Sequence, residues 1–119
     1  MRIILTTAML LAASAVFAQT SAWVEVDDDR LMVSAIGATV DEVEDMRVYD
    51  AGGQEIGEVE EVLGTARDRP TALSVEADDY LGRDGDDVVI ALDQLKLEGG
   101  RLTTILTKEQ VAALPRWDD

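Results

Sequence analysis

Beyond Val43, the chain alternates short apolar stretches with turn residues. The stretches recur about every eight to twelve positions, a spacing typical of a small β-barrel or sandwich. The clearest alternation places every second residue on the buried face of one strand: Thr71, Leu73, Val75 and Ala77. The same pattern returns at Val88, Ile90 and Leu92. The pattern therefore predicts a mainly β domain.

Residues 56–63 follow a turn at residues 50–53 and carry two conflicting signals. Ile56, Val59 and Val62 are spaced three apart, which favours a helix. Gly57 and the neighbouring β-branched residues oppose that interpretation, because they fit a pleated strand better. The segment is predicted to be a strand with a bulge.

Gly99 and Gly100 mark a hairpin, because two adjacent glycines supply the positive φ angles of a two-residue turn. Counting outward from the turn pairs Glu98 with Arg101, Leu97 with Leu102 and Lys96 with Thr103. One face of this hairpin is apolar, and the pair beside the turn is oppositely charged.

A short helix is predicted after the hairpin. Thr107 is its N-cap, and Gln110 stands three residues later, which is the spacing of a capping box. Pro115 ends the helix. So short a helix is unstable alone, and it is expected to dock Val111 and Leu114 on the barrel.

The chain is predicted to have three parts. Residues 1–18 resemble a secretory signal peptide: Arg2 precedes an apolar run, and small residues lead to a cleavage site after Ala18. An uncleaved membrane anchor is the alternative. Residues 19–39 form an acidic segment that is expected to be poorly ordered, and residues 40–119 form the folded domain. The protein is expected to be periplasmic or secreted.

Composition excludes much chemistry. The chain of 119 residues has no His and no Cys, so imidazole bases, thiol nucleophiles, disulfides and Cys or His metal sites are absent. It has 25 acidic against 10 basic residues and a formal net charge of −15. Such a chain is not expected to bind nucleic acid or an anionic membrane surface. It is expected to be neither an enzyme nor a cofactor-binding protein.

A set of short motifs follows in order along residues 39–117: Val48-Tyr49-Asp50, Gly53, IGEVEEV at 56–62, ALSV at 72–75, YLG at 80–82, VVI at 88–90, LTKEQV at 106–111, and Leu114-Pro115. This ordered set resembles the PRC-barrel family, the small barrel of the photosynthetic reaction centre H subunit and of a ribosome maturation factor. The resemblance implies a compact barrel of about six strands with a short C-terminal helix. It also implies an interaction or assembly role without a shared catalytic motif. Ala91 departs from the family, many of whose members have Pro there.

Two groups of residues are candidates for a site. Asp79, Asp84 and Asp86 are the candidates for a cation site, but their spacing is not that of an EF-hand loop, so a solvated turn is the preferred interpretation. Tyr80 and Leu81 lie among these carboxylates. They either fold back to cover an end of the barrel or stay exposed as an anchor for a partner, which the acidic rim would select to be basic.

The sequence thus predicts a non-catalytic protein-interaction or assembly module of the bacterial envelope, built on a PRC-type barrel. Its protein partner and its oligomeric state stay open. The first alternative is an acidic, Ca²⁺-type cation-binding periplasmic protein. The second is a small hydrolase, for which no nucleophile, base or cleft is evident.

Overall fold

The computed structural model describes residues 23–118. Within this range the chain forms ten strands, three short helices and one turn of 3-10 helix at Leu92–Gln94. The strands are β1 Val24–Glu25, β2 Met32–Val33, β3 Ala38–Thr39, β4 Arg47–Tyr49, β5 Glu55–Ala66, β6 Arg69–Glu76, β7 Asp87–Ala91, β8 Leu95–Glu98, β9 Arg101–Thr104 and β10 Arg116–Trp117. The helices are α1 Val40–Val43, α2 Asp78–Leu81 and α3 Lys108–Ala112.

Eight of the strands form one sheet in the order β10-β7-β6-β5-β4-β9-β8, with β1 also paired to β5. β2 and β3 form a separate two-stranded ribbon. Neighbours in the large sheet are antiparallel except β4 and β9, which are parallel. The mainly β prediction is confirmed. The described sheet has more strands than the expected barrel of about six, and it does not close. β10 and β8 therefore lie at the two ends of its strand order.

Residues 56–63 lie in the long strand β5, so the prediction of a bulged strand is confirmed. Its pairing with β6 shifts register between Val59 and Glu61 and again on either side of Gly64. Two glycines allow β5 to approach β6 closely. A Cβ at Gly57 would lie 1.6 Å from the carbonyl oxygen of Glu76, and one at Gly64 would lie 2.3 Å from that of Arg69. The helical spacing misleads because bulges shift which residues face the core.

The hairpin and helix predictions are also confirmed. β8 and β9 pair in the predicted register around Gly99 and Gly100, whose φ angles are 60° and 83°. Thr107 caps α3: its hydroxyl accepts the Gln110 N–H, and the Gln110 side chain accepts the Thr107 N–H. Val111 is fully buried, and Leu114 is half-buried against the same core.

The N-terminal part of the described chain differs from the expected poorly ordered segment at 19–39. β1 pairs with β5, and the Val26 N–H donates to the Val62 carbonyl at 2.8 Å. Val26 and Val33 are fully buried in the main core, and Ile36 is buried beside them. The three carboxylates of residues 27–29 stay exposed, whereas Val26 before them and Val33 after them turn inward.

The opposite face of the sheet carries a smaller apolar cluster, formed by Leu63, Ala72 and Val89. Trp23 and Trp117, both half-buried, pack against it from the two ends of the described chain. The Trp117 indole N–H donates to Glu61 Oε1 at 2.7 Å. The ends of the described chain therefore help to cover this face.

The predicted signal peptide at residues 1–18 lies outside the described residues. Within residues 23–118, none of the helices combines the length and the apolar character needed to cross a bilayer.

Candidate functional site

The loop that contains Tyr80 is closed by the Tyr80 side chain. The side chain lies on the four-residue helix α2, is 3% exposed and belongs to the main core. Gly82 ends the helix in the left-handed conformation, and its N–H donates to the Asp78 carbonyl at 2.8 Å. Of the two predicted alternatives for Tyr80, the structure has the one in which the side chain folds back and covers an end of the barrel. The ring is buried despite its acidic sequence neighbours, because burial removes its apolar surface from water.

A hydrogen bond to a distant carboxylate holds Tyr80 in place. Its hydroxyl donates to Asp50 Oδ2 at 3.0 Å. The other carboxylate oxygen accepts the N–H groups of Gly52 and Gln54, each at 2.9 Å. Asp50 thus shapes the β4–β5 turn and ties α2 to it.

These contacts move two pKa values in opposite directions. Burial and the hydrogen bond to the Asp50 carboxylate raise the pKa of Tyr80 to about 12. Burial alone would raise the pKa of Asp50. The N–H groups of Gln54, Gly52 and Gly53 and the Tyr80 hydroxyl outweigh it and lower that pKa below its usual value.

Leu81 is half-buried against the main core. Its outer side lines a cleft of about 480 Å³ together with Arg83, Lys108, Glu109 and Ala112. Lys108 Nζ also lies 5.4 Å from the centre of the Tyr80 ring. The surroundings of Leu81 are thus partly basic, unlike the acidic rim expected from the sequence.

The structure does not bring the three cation-site candidates together. Asp79 lines a depression with Glu58 and Glu76, whereas Asp84 and Asp86 line another with Arg116. Over the described range 23–118, no group of three or more acidic side chains is placed to hold a metal ion.

A groove of about 710 Å³ lies beside the edge strand β8. The β4–β5 turn, β8, β9 and the segment after β9 line it. Ile105 in that segment is 85% exposed, the most exposed large apolar side chain described. The Arg101 guanidinium carbon lies 4.1 Å from the centre of the half-buried Tyr49 ring at the same groove.

Sequence reasoning missed this groove, although one signal was present. Ile105 and Leu106 are adjacent apolar residues just before the N-cap Thr107. Successive side chains of an extended segment point to opposite sides, so both cannot face the core. Leu106 is buried, and its N–H donates to the buried Thr104 hydroxyl at 3.3 Å. Ile105 is consequently turned outward.

A comparison with protein families finds that the PRC-barrel domain model matches residues 35–111. The chain belongs to the PRC-barrel family. The match begins before Val40, so the end of the predicted acidic segment falls inside the PRC-barrel domain. It ends within α3, so the capped helix is part of the matched region. No curated protein shows significant similarity to this PRC-barrel chain.

Proposed function

We propose that this PRC-barrel protein is a non-catalytic protein-interaction module of the bacterial envelope, and that the groove beside β8 is its contact surface. The observation that carries the proposal is that Ile105, 85% exposed, lines this groove of about 710 Å³. Single exposed apolar residues are common on protein surfaces and need no explanation. A highly exposed isoleucine at a groove that also contains an aromatic ring and an arginine is typical of an interface centre.

The chemistry of the groove supports protein binding. Tyr49 and Arg101 are residue types enriched at protein interfaces. Their stacking holds the guanidinium in one place, so less side-chain freedom is lost on binding. Asp93, Glu98 and Thr103 add polar groups to the lining of the groove. This combination of an apolar centre and a polar rim favours a protein surface over a small ligand.

Two features of the sequence support the remaining parts of the proposal. The signal-like residues 1–18 favour export to the envelope. The absence of His and Cys, together with the lack of a recognisable nucleophile and base, favours a non-catalytic role.

The lysine content of the chain allows a sharp test. Lys96 and Lys108 are its only lysines: Lys96 lines the proposed groove, and Lys108 lines the Leu81 cleft. Amine-reactive crosslinking in intact cells is compared for the wild type, Lys96→Arg and Lys108→Arg. Each variant keeps its positive charge, and the α-amine is common to all three proteins. We expect crosslinked products to disappear in Lys96→Arg and to persist in Lys108→Arg.

The opposite dependence would contradict the proposed surface. Products that survive Lys96→Arg and disappear in Lys108→Arg would assign the contact to the Leu81 cleft. A wild-type protein that forms no lysine-dependent product in its native cells would contradict the interaction role at both surfaces.

A further inference from the structure

β8 has an open edge. It pairs with β9 on one side, and no strand within residues 23–118 pairs with its other side. Glu98 and Arg101 flank the two-residue turn, so they exchange hydrogen bonds across the hairpin, as do Lys96 and Thr103. Leu97, between them, directs both its N–H and its carbonyl away from β9. The open edge therefore presents one free donor and one free acceptor at Leu97.

The side chains of β8 alternate in a simple way. Lys96 and Glu98 lie on the same exposed face, with side chains 75% and 55% exposed and an ion pair of 3.5 Å between them. Leu97 lies on the other face, half-buried against the main core. Along the edge the order is therefore positive, apolar, negative.

This order is complementary to itself. In an antiparallel pair of two β8 strands centred on Leu97, the two Leu97 residues exchange both hydrogen bonds. Lys96 of each copy then lies directly opposite Glu98 of the other, at the position where cross-strand side chains are closest. We propose that the open edge of β8 binds a second copy of this chain, forming a two-fold symmetric dimer with a continuous sheet. The inference rests on the proposed function, since it names the partner of that side of the molecule.

Charge favours a second copy over an unrelated strand. Charged side chains on an edge normally prevent strand addition, because a foreign strand leaves them unpaired. The second copy brings the opposite charge to each of them. The whole chain has a net charge of −15, so two copies repel over most of their surfaces. The β8–β9 hairpin is an exception, with Lys96 and Arg101 against Glu98.

The edge is only four residues long, so the contact is small. Interfaces of this size lie at the weak end of specific association. We therefore expect a dissociation constant between about 1 µM and about 1 mM. Salt near the physiological value of about 0.15 M reduces the repulsion between the acidic surfaces and is the condition for the measurement.

Sedimentation velocity on protein purified after expression of the full-length chain tests the dimer by charge reversal. Lys96→Glu makes the edge entirely acidic, and Glu98→Lys makes it entirely basic. We expect the wild type to dimerise with rising concentration and each single variant to lose at least tenfold in affinity. We expect an equimolar mixture of the two variants to associate, and the double variant Lys96→Glu with Glu98→Lys to recover the wild-type affinity.

Circular dichroism confirms folding of every variant, and both side chains are exposed enough for the fold to tolerate the changes. A wild type that stays monomeric up to about 1 mM would overturn the dimer. So would single variants that associate as well as the wild type, or a mixture that fails to associate. If the wild type is monomeric but Lys96 still crosslinks to a protein of different mass, the dimer is excluded and the proposed function stands. If the wild type is monomeric and Lys96 forms no product at all, both fail.

Discussion

Two loops of this protein each contain a pair of adjacent apolar residues among polar ones, but the two pairs differ in burial. Tyr80 and Leu81 are adjacent apolar residues among carboxylates, and Ile105 and Leu106 are adjacent apolar residues between threonines. In the first loop, which we call the sealed loop, Tyr80 is 3% exposed. In the second, which we call the open loop, Ile105 is 85% exposed. The sealed loop forms a helical turn that directs Tyr80 inward, and the open loop is extended, so only Leu106 turns inward.

Polar neighbours in the sequence therefore do not decide whether an apolar side chain is exposed. The fate of Tyr80 depends on Asp50, thirty residues earlier in the chain, whose carboxylate satisfies the phenol. A buried hydroxyl without such a partner would be costly. Ile105 has no polar group to satisfy, and its exposure follows from the direction of the backbone alone. The acidic segment before Val40 resembles the sealed loop, since Val26 and Val33 are also buried among exposed carboxylates.

The largest effect on stability is expected from removing the residues before Val40. A chain that begins at Val40 loses the buried Val26, Val33 and Ile36 and the pairing of β1 with β5. Each lost apolar side chain costs about 1 to 4 kcal/mol, and their sum approaches the whole stability of a small domain. We expect this chain to lose its cooperative thermal transition, whereas a chain that begins at Trp23 keeps it.

Circular dichroism on heating checks this truncation. The domain boundary drawn at residue 40 from the sequence predicts the opposite result, a cooperative transition within about 2 kcal/mol of the longer chain. That result would show that residues 23–39 pack on a domain that is already complete without them.

The two loops themselves are compared by substitution to alanine. Tyr80→Ala is expected to lower the free energy of unfolding by about 3 to 5 kcal/mol, because it empties a buried aromatic site. Ile105→Ala is expected to change it by less than about 0.5 kcal/mol, because the side chain is already in water. Urea denaturation measures both values. Similar losses for the two variants would mean that the loops do not differ in burial.

A smaller effect is expected at alkaline pH. The pKa of Tyr80 rises from 10.0 to about 12 on folding, so the folded chain holds the proton more tightly than the unfolded chain. This contribution to stability is complete below pH 10 and is lost as the pH rises toward 12. We expect a loss of about 2 kcal/mol over that window, since one unit of pKa corresponds to about 1.4 kcal/mol.

The variant Tyr80→Phe isolates this contribution, with Tyr49→Phe as its matched control. The wild type and Tyr49→Phe are expected to share the alkaline loss in urea denaturation, and Tyr80→Phe is expected to lack it. An equal decline in all three proteins would show that the phenol of Tyr80 is not held by Asp50.

The smallest effect on stability is expected at Glu44, whose charge is repelled by neighbouring carboxylates. Partial burial and the nearby carboxylates of Asp29, Glu25, Asp41 and Asp45 raise the pKa of Glu44. Its raised pKa favours the folded state at low pH, and this advantage is lost as the pH rises through that pKa. Glu44→Gln is therefore expected to stabilise the chain at neutral pH by about 0.5 kcal/mol.

Thermal unfolding at neutral pH and again at low pH, where the wild-type carboxyl is protonated, measures this gain. Glu109→Gln, on the exposed face of α3, is the control with the same chemical change. A gain at neutral pH that persists undiminished at low pH would rule out repulsion as its cause.

Features set by short-range chemistry were predictable from the sequence. The positive φ angles of Gly99 and Gly100 determine the β8–β9 register, and the Thr107 capping box determines the start of α3. Features set by distant partners were not predictable. Neither the bond from Tyr80 to Asp50 nor the pairing of Val26 with Val62 leaves a local pattern. The outward turn of Ile105 was deducible in principle, because Leu106 already occupied the inward position.

We propose that this protein meets its partner at the groove that contains Ile105, and not at the loop that contains Tyr80. The most direct test is the yield of Lys96-dependent crosslinked product in Ile105→Ser and Leu81→Ser, measured at equal protein levels in native cells. We expect a drop of about tenfold or more in Ile105→Ser and little change in Leu81→Ser, in line with the loss of an interface hot spot. An undiminished yield in Ile105→Ser would contradict this proposal.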